Sequence, residues 1–231
     1  MNGYIGKLLI VDLTRHELCE EPLNWTMARD FIGGAGYAAR LLYGELGPHT
    51  DPLGPENTRV FMTGPLVGTR APSCGRHEVC ALSPLTGLWG ESNSGGFWGA
   101  ALKFSGYDGI VIRGRSETPV WLSLLEGHPP TLHDATDLWG LDTYETPQRI
   151  REKLGDRQVR VASIGPAGEN RVLYAAIMND HGRAAARTGM GAVMGSKNLK
   201  AIAVRGARSV PLADPETFRR AANQALQWVK D

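Results

Sequence analysis

The chain has 231 residues, enough for one large domain or two small ones around a substantial core. Its net charge is +1, so no global field draws nucleic acid or an anionic membrane. Three cysteines argue against a disulfide framework, no apolar run approaches the roughly 20 residues of a membrane span, and no signal sequence precedes the first strand pattern. These features set the expectation of a cytoplasmic protein. The 29 glycines and 14 prolines are spread along the chain, which marks many turns and close backbone approaches and not disorder.

YIGKLLIVDL (4–13) reads as a strand, with a short partner at His16–Glu20 completing a hairpin. From Trp25 to Leu46 the spacing of Met27, Phe31, Tyr37, Leu41 and Leu42 predicts a helix interrupted at Gly33-Gly34 and Gly36. RVFMTG (59–64) is a buried strand ending at Gly64-Pro65, and RHEVCAL (76–82) alternates like another. Ser83–Ser94 carries loop chemistry, and GGFWGAALKFSG (95–106) predicts a short helix feeding the strand YDGIVIRG. Further strands are expected at 119–127, 158–165 and 171–178, with a helix over Thr143–Leu154. After Val210, Asp214 caps and Pro215 opens a helix whose stripe of Phe218, Ala221, Ala222, Ala225, Leu226 and Val229 is amphipathic. It looks like the first element of a further domain.

Two segments echo each other. GAALKFSGYDGIVIRG (99–114) and GAVMGSKNLKAIAVRG (191–206) have equal length, open on Gly-Ala and close on Arg-Gly, and each follows a strand ending in Gly-Pro. The echo predicts an α+β chain of duplicated β-α-β units, about 1–115 and 116–210, forming two sheets with packed helices; residues 211–231 begin the further helical domain. Each unit then presents a Gly-rich loop, and two such loops suit a pseudo-symmetric ligand.

GMGAVMGSK (189–197) invites a nucleotide reading that its context refuses. The order Gly-Ser-Lys and the five residues between Gly189 and Gly195 do not make a P-loop. A dinucleotide fold needs a strand before the first glycine and an acid after the next strand, and neither is present. Two readings remain: a Gly/Ala helix packed close on a sheet, or a site for another phosphate-bearing ligand, with Arg183 and Arg187 flanking backbone amides at a helix start. The turn Asn93-Ser94-Gly95-Gly96, with Arg76 upstream, is similar in kind. Cys74, His77 and Cys80 have C-x2-H-x2-C spacing, but strand alternation turns His77 away from the cysteines, which disfavours zinc. His181, after Asp180, reads either as a proton carrier or as a solvated loop histidine. Trp89, Trp98 and Trp139 read as core or cavity wall. Spacing assembles no Ser-His-Asp or Cys-His set.

At these residues the chain resembles the N-terminal, pterin-binding domain of the tungsten-containing aldehyde ferredoxin oxidoreductases. The matching stretches are GPLVGTRAPSCGRHEV, SPLTGLWGESNSGGFWGAALKFSGYDGIVIRG, SIGPAGENRV and AAIMNDHGRAAARTGMGAVMGSKNLKAIAVRG. The resemblance implies two similar units whose sheets form the base for a tungsten (or molybdenum) bis-pyranopterin. It also implies a magnesium ion that bridges the two pterin phosphates and is held partly by the backbone carbonyls of Asn93 and Ala184, with water and phosphate completing its shell. By the same resemblance Arg76 lies between a pterin and the iron–sulfur cluster. Ser94, Gly95, Gly96, Arg183, Ala185, Arg187 and Gly189 join it as cofactor contacts, and no catalytic residue is assigned.

The family reaction is oxidation of an aldehyde by water to a carboxylic acid, with electrons leaving through a 4Fe–4S cluster to ferredoxin; relatives run other low-potential steps. Family members are far longer than this chain, and no C-x2-C-x3-C occurs in it. The expected partners are therefore the rest of the enzyme, as a downstream segment or separate chain, together with ferredoxin or a ferredoxin-like subunit and a small aldehyde. Two further readings stand beside this one: a non-catalytic module that stores, delivers or docks cofactor, and a generic nucleotide-binding enzyme.

Overall fold

The computed structural model describes residues 2–230, with side chains over 2–229. The first half opens with a hairpin, β1 (Lys7–Asp12) and β2 (Glu17–Pro22), then helices α1 (Trp25–Phe31) and α2 (Gly34–Glu45). An antiparallel meander follows, β3 (Arg59–Thr63), β4 (His77–Leu82) and β5 (Trp89–Ser94), before α3 (Trp98–Ser105) returns the chain to β6 (Gly109–Arg113). The second half repeats the plan: hairpin β7 (Val120–Leu125) and β8 (Thr131–Asp134), then α4 (Glu145–Leu154), β9 (Arg160–Ser163), the short α5 (Pro166–Glu169), β10 (Ile177–Asn179), β11 (Arg183–Ala185), α6 (Met190–Ser196) and β12 (Leu199–Arg205). Helix α7 (Pro215–Lys230) closes the described residues.

Each half makes one six-stranded mixed sheet, in the orders β2-β1-β6-β3-β4-β5 and β8-β7-β12-β9-β10-β11. These are the same topology. The echo seen in the sequence falls on matching registers: Ile110 lies parallel to Leu9 and antiparallel to Phe61, and Ile202 lies parallel to Leu122 and antiparallel to Ala162. Both echoed helices end on a left-handed residue, Gly106 (φ 112°) and Asn198 (φ 57°), the two residue types that take this conformation most cheaply. The α+β architecture with two sheets built from duplicated units is therefore what the structure has.

Strand alternation sorts the core into layers. Leu9, Val11, Phe61, Val79, Ile110 and Ile112 face Leu122, Leu124, Ala162, Ile202 and Val204 across the space between the sheets. That space also holds Trp98 and Leu102 of α3 and Met190, Val193 and Met194 of α6. Helix α3 leaves the first sheet to pack on the second, and Trp98 Nε1 donates to Ile202 O at 3.1 Å. Helix α6 in turn packs on β4 as well as on β12. The outer faces are closed by α1 and α2 over Leu8, Ile10, Val60, Met62 and Val111, and by α4 over Trp121, Val161, Ala201 and Ala203.

Several expectations need correction. Residues 89–94 form strand β5 and not loop, so Asn93 and Ser94 close a strand and the bend proper is Gly95-Gly96. The expected strand at 171–178 shrinks to Ile177–Asn179, because Arg171 has φ 56° and 170–176 is turn and irregular chain. Arg183–Ala185 is a strand, paired antiparallel with β10, where a loop was read. Among the tryptophans, Trp98 is fully buried and Trp139 packs on the core, but Trp89 is exposed because it alternates outward on an edge strand. Cys80 is buried, Cys74 is half-buried and Cys19 is exposed. Among the described residues no group of three or more His, Cys, Asp and Glu could hold a metal.

Candidate cofactor site

β5 and β11 occupy the same edge position in their two sheets, and the two edges meet. An edge strand leaves alternate N–H and C=O groups without ladder partners, so the junction brings together free backbone from both halves. Side chains fasten it. Ser92 Oγ donates to Ala186 O at 2.8 Å and lies 2.5 Å from Thr188 Oγ1. Buried Ser94 donates to Asn179 Oδ1 at 2.7 Å, and Asn179 Nδ2 donates to Gly95 O at 2.9 Å. Asp180 Oδ2 accepts from the amides of Phe97 (2.7 Å) and Trp98 (2.9 Å), and Arg160 Nη1 meets Oδ1 at 3.3 Å while its guanidinium sits over Phe97. At Gly96 (φ +88°) a Cβ would stand 2.6 Å from Asp180 Oδ2, so that approach requires glycine.

The structure brings the expected site residues into this junction, with different roles open to them. Alternation on β5 turns Ser92 and Ser94 inward and Glu91 and Asn93 outward. Arg76, just before β4, is exposed and donates through Nη1 to Asn93 Oδ1. Gly95 is open, with no atom within 4 Å of an added Cβ, and so is Gly182 across the junction. Arg183 and Arg187 are exposed and Ala184 is half-buried on β11. The side chain of Ala185 lies in the core, and a Cβ at Gly189, the N-cap of α6, would fall 2.0 Å from Leu173 O. These two residues can offer a ligand only backbone.

A groove lies on each side of the junction, in equivalent places. One, of about 550 Å³, runs beneath the start of α2 and is lined by Gly33–Gly36, Cys74, Arg76 and Glu78. The other, of about 670 Å³, runs beside α4 and is lined by Tyr144, Arg151, Asp180, His181 and Gly182. Glu78 lies opposite Asn93 in the ladder. Burial, with Glu91 adding and Arg76 opposing, raises its carboxyl to about 7. His77 faces inward against Trp98 (ring centroids 4.6 Å apart), and burial lowers it to about 4, so it is neutral at physiological pH.

These features fit the group that the sequence resemblance implies. An open glycine lies at each edge, exposed arginines border both, and among the described residues no group of three or more His, Cys, Asp and Glu could hold a metal in place of backbone oxygen. A magnesium ion bound there would depend on backbone oxygen and on phosphate, ligands that suit it. Sequence reasoning missed Ser92 and Asn179, which fasten the edges, and took Asp180 only as a neighbour of His181. Asp180 has φ 44° and begins the β10–β11 turn; the Asn-Asp pair before His-Gly is a turn signal, but nothing local shows that it holds the other half's helix α3.

The family described as Aldehyde ferredoxin oxidoreductase, N-terminal domain, matches residues 8–206. A tungsten-containing aldehyde ferredoxin oxidoreductase of Pyrococcus furiosus is 48% identical over 231 residues, covering 100% of this chain and 38% of that protein. One from Pyrococcus abyssi is 46% identical over 230 residues, with the same coverage. An aliphatic sulfonate oxidoreductase, WOR-like subunit, of Pyrococcus furiosus is 39% identical, covering 91% of this chain and 36% of that protein. Among solved structures, the active site complex BamBC of benzoyl coenzyme A reductase with 1,5-dienoyl-CoA superposes with a TM-score of 0.96 at 38% identity, covering 99% of this chain and 35% of that one. The chain thus spans 38% of the length of the aldehyde oxidoreductases it matches. By its sequence match and its two-sheet fold, it belongs to the aldehyde ferredoxin oxidoreductase family, to which it corresponds as the N-terminal domain.

Proposed function

We propose that this chain is the cofactor-binding part of a tungsten (or molybdenum) bis-pyranopterin oxidoreductase. The observation that carries the reading is the meeting of two equivalent edge strands, β5 and β11, each with an open glycine and exposed arginine beside it. When bound, the pterin-held metal supplies two-electron redox chemistry. The chain's part is to bind and orient. The carbonyls of Asn93 and Ala184 would hold a magnesium ion, and Arg183 and Arg187 would add cationic donors toward phosphate. Arg76, braced by Asn93, would donate toward one pterin and the neighbouring iron–sulfur cluster. Asp180, Ser92 and Asn179 would fix the spacing between the two binding edges.

The rest of the enzyme, as a following segment or another chain, would supply the 4Fe–4S ligands and the substrate channel. Helix α7 would lead into it: Leu226, Trp228 and Val229 are exposed on a strongly amphipathic helix. The reaction that fits the aldehyde oxidoreductase relatives is oxidation of an aldehyde to a carboxylic acid, electrons passing to ferredoxin in the cytoplasm. The structural likeness to the benzoyl coenzyme A reductase complex favours a second reading, a low-potential reduction on the same base. A non-catalytic cofactor module is the reading to defeat.

Tungsten, molybdenum, magnesium and phosphorus are to be quantified in the assembly formed with the downstream or partner polypeptide. The expected result is one tungsten or molybdenum, one magnesium and two pterin phosphates per chain. A completed assembly free of pterin would overturn the reading. Pterin present without turnover of aldehydes or of ring substrates would favour the non-catalytic module.

A further inference from the structure

Arg59 opens β3, at the far end of that strand from the Gly64-Pro65 turn. It is fully buried, faces the space between the sheets beside Phe61, and holds its guanidinium 4.8 Å over that ring. Among the described residues its Nε, Nη1 and Nη2 all lack a hydrogen-bond acceptor. The corresponding residue of the second sheet is Arg160: Arg59 pairs with Ile112 on β6 as Arg160 pairs with Val204 on β12. Arg160 has Asp180 as its anion. Arg59 has none.

The surroundings of Arg59 make this more acute. Lys197, at the end of α6, is fully buried and donates to Pro55 O (3.0 Å) and Gly114 O (2.9 Å). Arg115 Nη2 donates to Leu53 O at 2.6 Å, and its Nε is buried without an acceptor. Burial, then Arg59 and Arg115, push Lys197 down to about 7, with only Glu56 acting the other way. Glu56 is exposed. Cationic side chains therefore converge beneath the 53–57 segment, and the acceptors they find there are neutral carbonyls. A sealed guanidinium without a counter-charge or an acceptor is strongly unfavourable.

We infer that Arg59, Arg115 and Lys197 enclose one small inorganic anion of chloride's size, accepting from the guanidinium N–H groups and binding the 53–57 segment and the end of α6 to the first sheet. Chloride suits the donors: the three unpartnered nitrogens of Arg59 can share one halide, whereas a tetrahedral oxoanion would bring more acceptor oxygens than they satisfy. The site lies on the opposite end of β3 from the junction and does not depend on the cofactor reading.

The test uses the chain itself. Its melting temperature is measured in chloride, bromide and gluconate at equal ionic strength, and bromide-soaked crystals are examined for anomalous scattering at Arg59. Halide is expected to raise the melting temperature by about 5 °C at roughly a hundredfold excess over Kd, with a bromide peak beside the guanidinium. Arg59→Met should melt alike in every salt, since a buried hydrophobe replaces the charge. Identical melting of the parent chain in all three salts would overturn the inference. So would a halide response retained by Arg59→Met, or a crystal structure with the Glu56 carboxylate on Arg59. If Arg59→Met does not fold, the salt response and the bromide density of the parent chain decide.

Discussion

Asp108 in the first half and Lys200 in the second occupy the same place in the echoed helix–strand segment, one an acid and the other a base. Each is buried and each is neutralised within its own half. Asp108 accepts from the amides of Ile5 (3.1 Å) and Gly6 (2.7 Å) and lies 3.6 Å from Lys103 Nζ, which donates to Gly3 O and Gly64 O. Lys200 pairs with Glu169 Oε1 and donates to Leu141 O at 2.7 Å. The comparison teaches that the duplicated scaffold fixes where a buried charge is tolerated but not its sign. Each half has then closed its own turn with a different partner. The cost of the difference appears in the helices: where α3 carries Lys103, α6 carries Gly195, which lets α5 come close enough that an added Cβ would stand 1.9 Å from Gly168 O.

The largest test of this equivalence removes the lysines. Lys103→Ala and Lys200→Ala should each cost about 3–5 kcal/mol in urea denaturation, because a buried carboxylate loses its partner. A loss below about 1 kcal/mol in either half would break the comparison. Gly195→Ala should follow at about 1–3 kcal/mol, through overpacking of α5 on α6. By contrast Gly95→Ala should stay within about 0.5 kcal/mol of the parent, since its Cβ meets nothing, yet it should lower pterin retention in the complete assembly. Retention equal to the parent's would remove Gly95 from the site. Arg76→Ala should likewise leave the fold intact while weakening cofactor retention by about 1.5–3 kcal/mol, the worth of one charge-assisted contact, and an unchanged redox titration would count against its role.

The smallest expected effect is the pH dependence that Glu78 contributes, which has no counterpart at the equivalent ladder position of the second half, where Met178 stands. Glu78 titrates near 7 in the folded chain, above the ordinary carboxylate range. The folded state thus keeps a proton that the unfolded state releases. This contribution to stability is present in full at acid pH and is lost as pH rises through about 7. Glu78→Gln should flatten the fall in melting temperature over that window; parallel profiles for parent and variant would show the carboxyl to be ordinary.

Much of the fold was legible because it is written locally. The 3.6-residue and two-residue periods gave α2, α4, α7 and the central strands. The paired Gly-Pro turns and the two Gly-Ala…Arg-Gly segments gave the duplication, since equal spacing in two places forces equal register. The edge strands were less legible. β5 runs as Trp-Gly-Glu-Ser-Asn-Ser and β11 as Arg-Ala-Ala, without the β-branched alternation that marks a strand, because one side of each has no ladder to fill. The proposed site residues Arg76, Asn93, Gly95 and Arg183 could be named from motif and resemblance before any geometry.

What the sequence determined by itself was the content of each half, its turns and the small residues that let backbone come close. Only the tertiary structure decided that β5 and β11 meet, that Asp180 of one half holds the amides of Phe97 and Trp98 in the other, and that Arg59 is sealed while Arg160 is paired. The reason is physical. Periodicity reports which face of an element is apolar, whereas the exchange of α3 and α6 between sheets places residues some eighty positions apart within hydrogen-bond reach, and no local pattern encodes that distance.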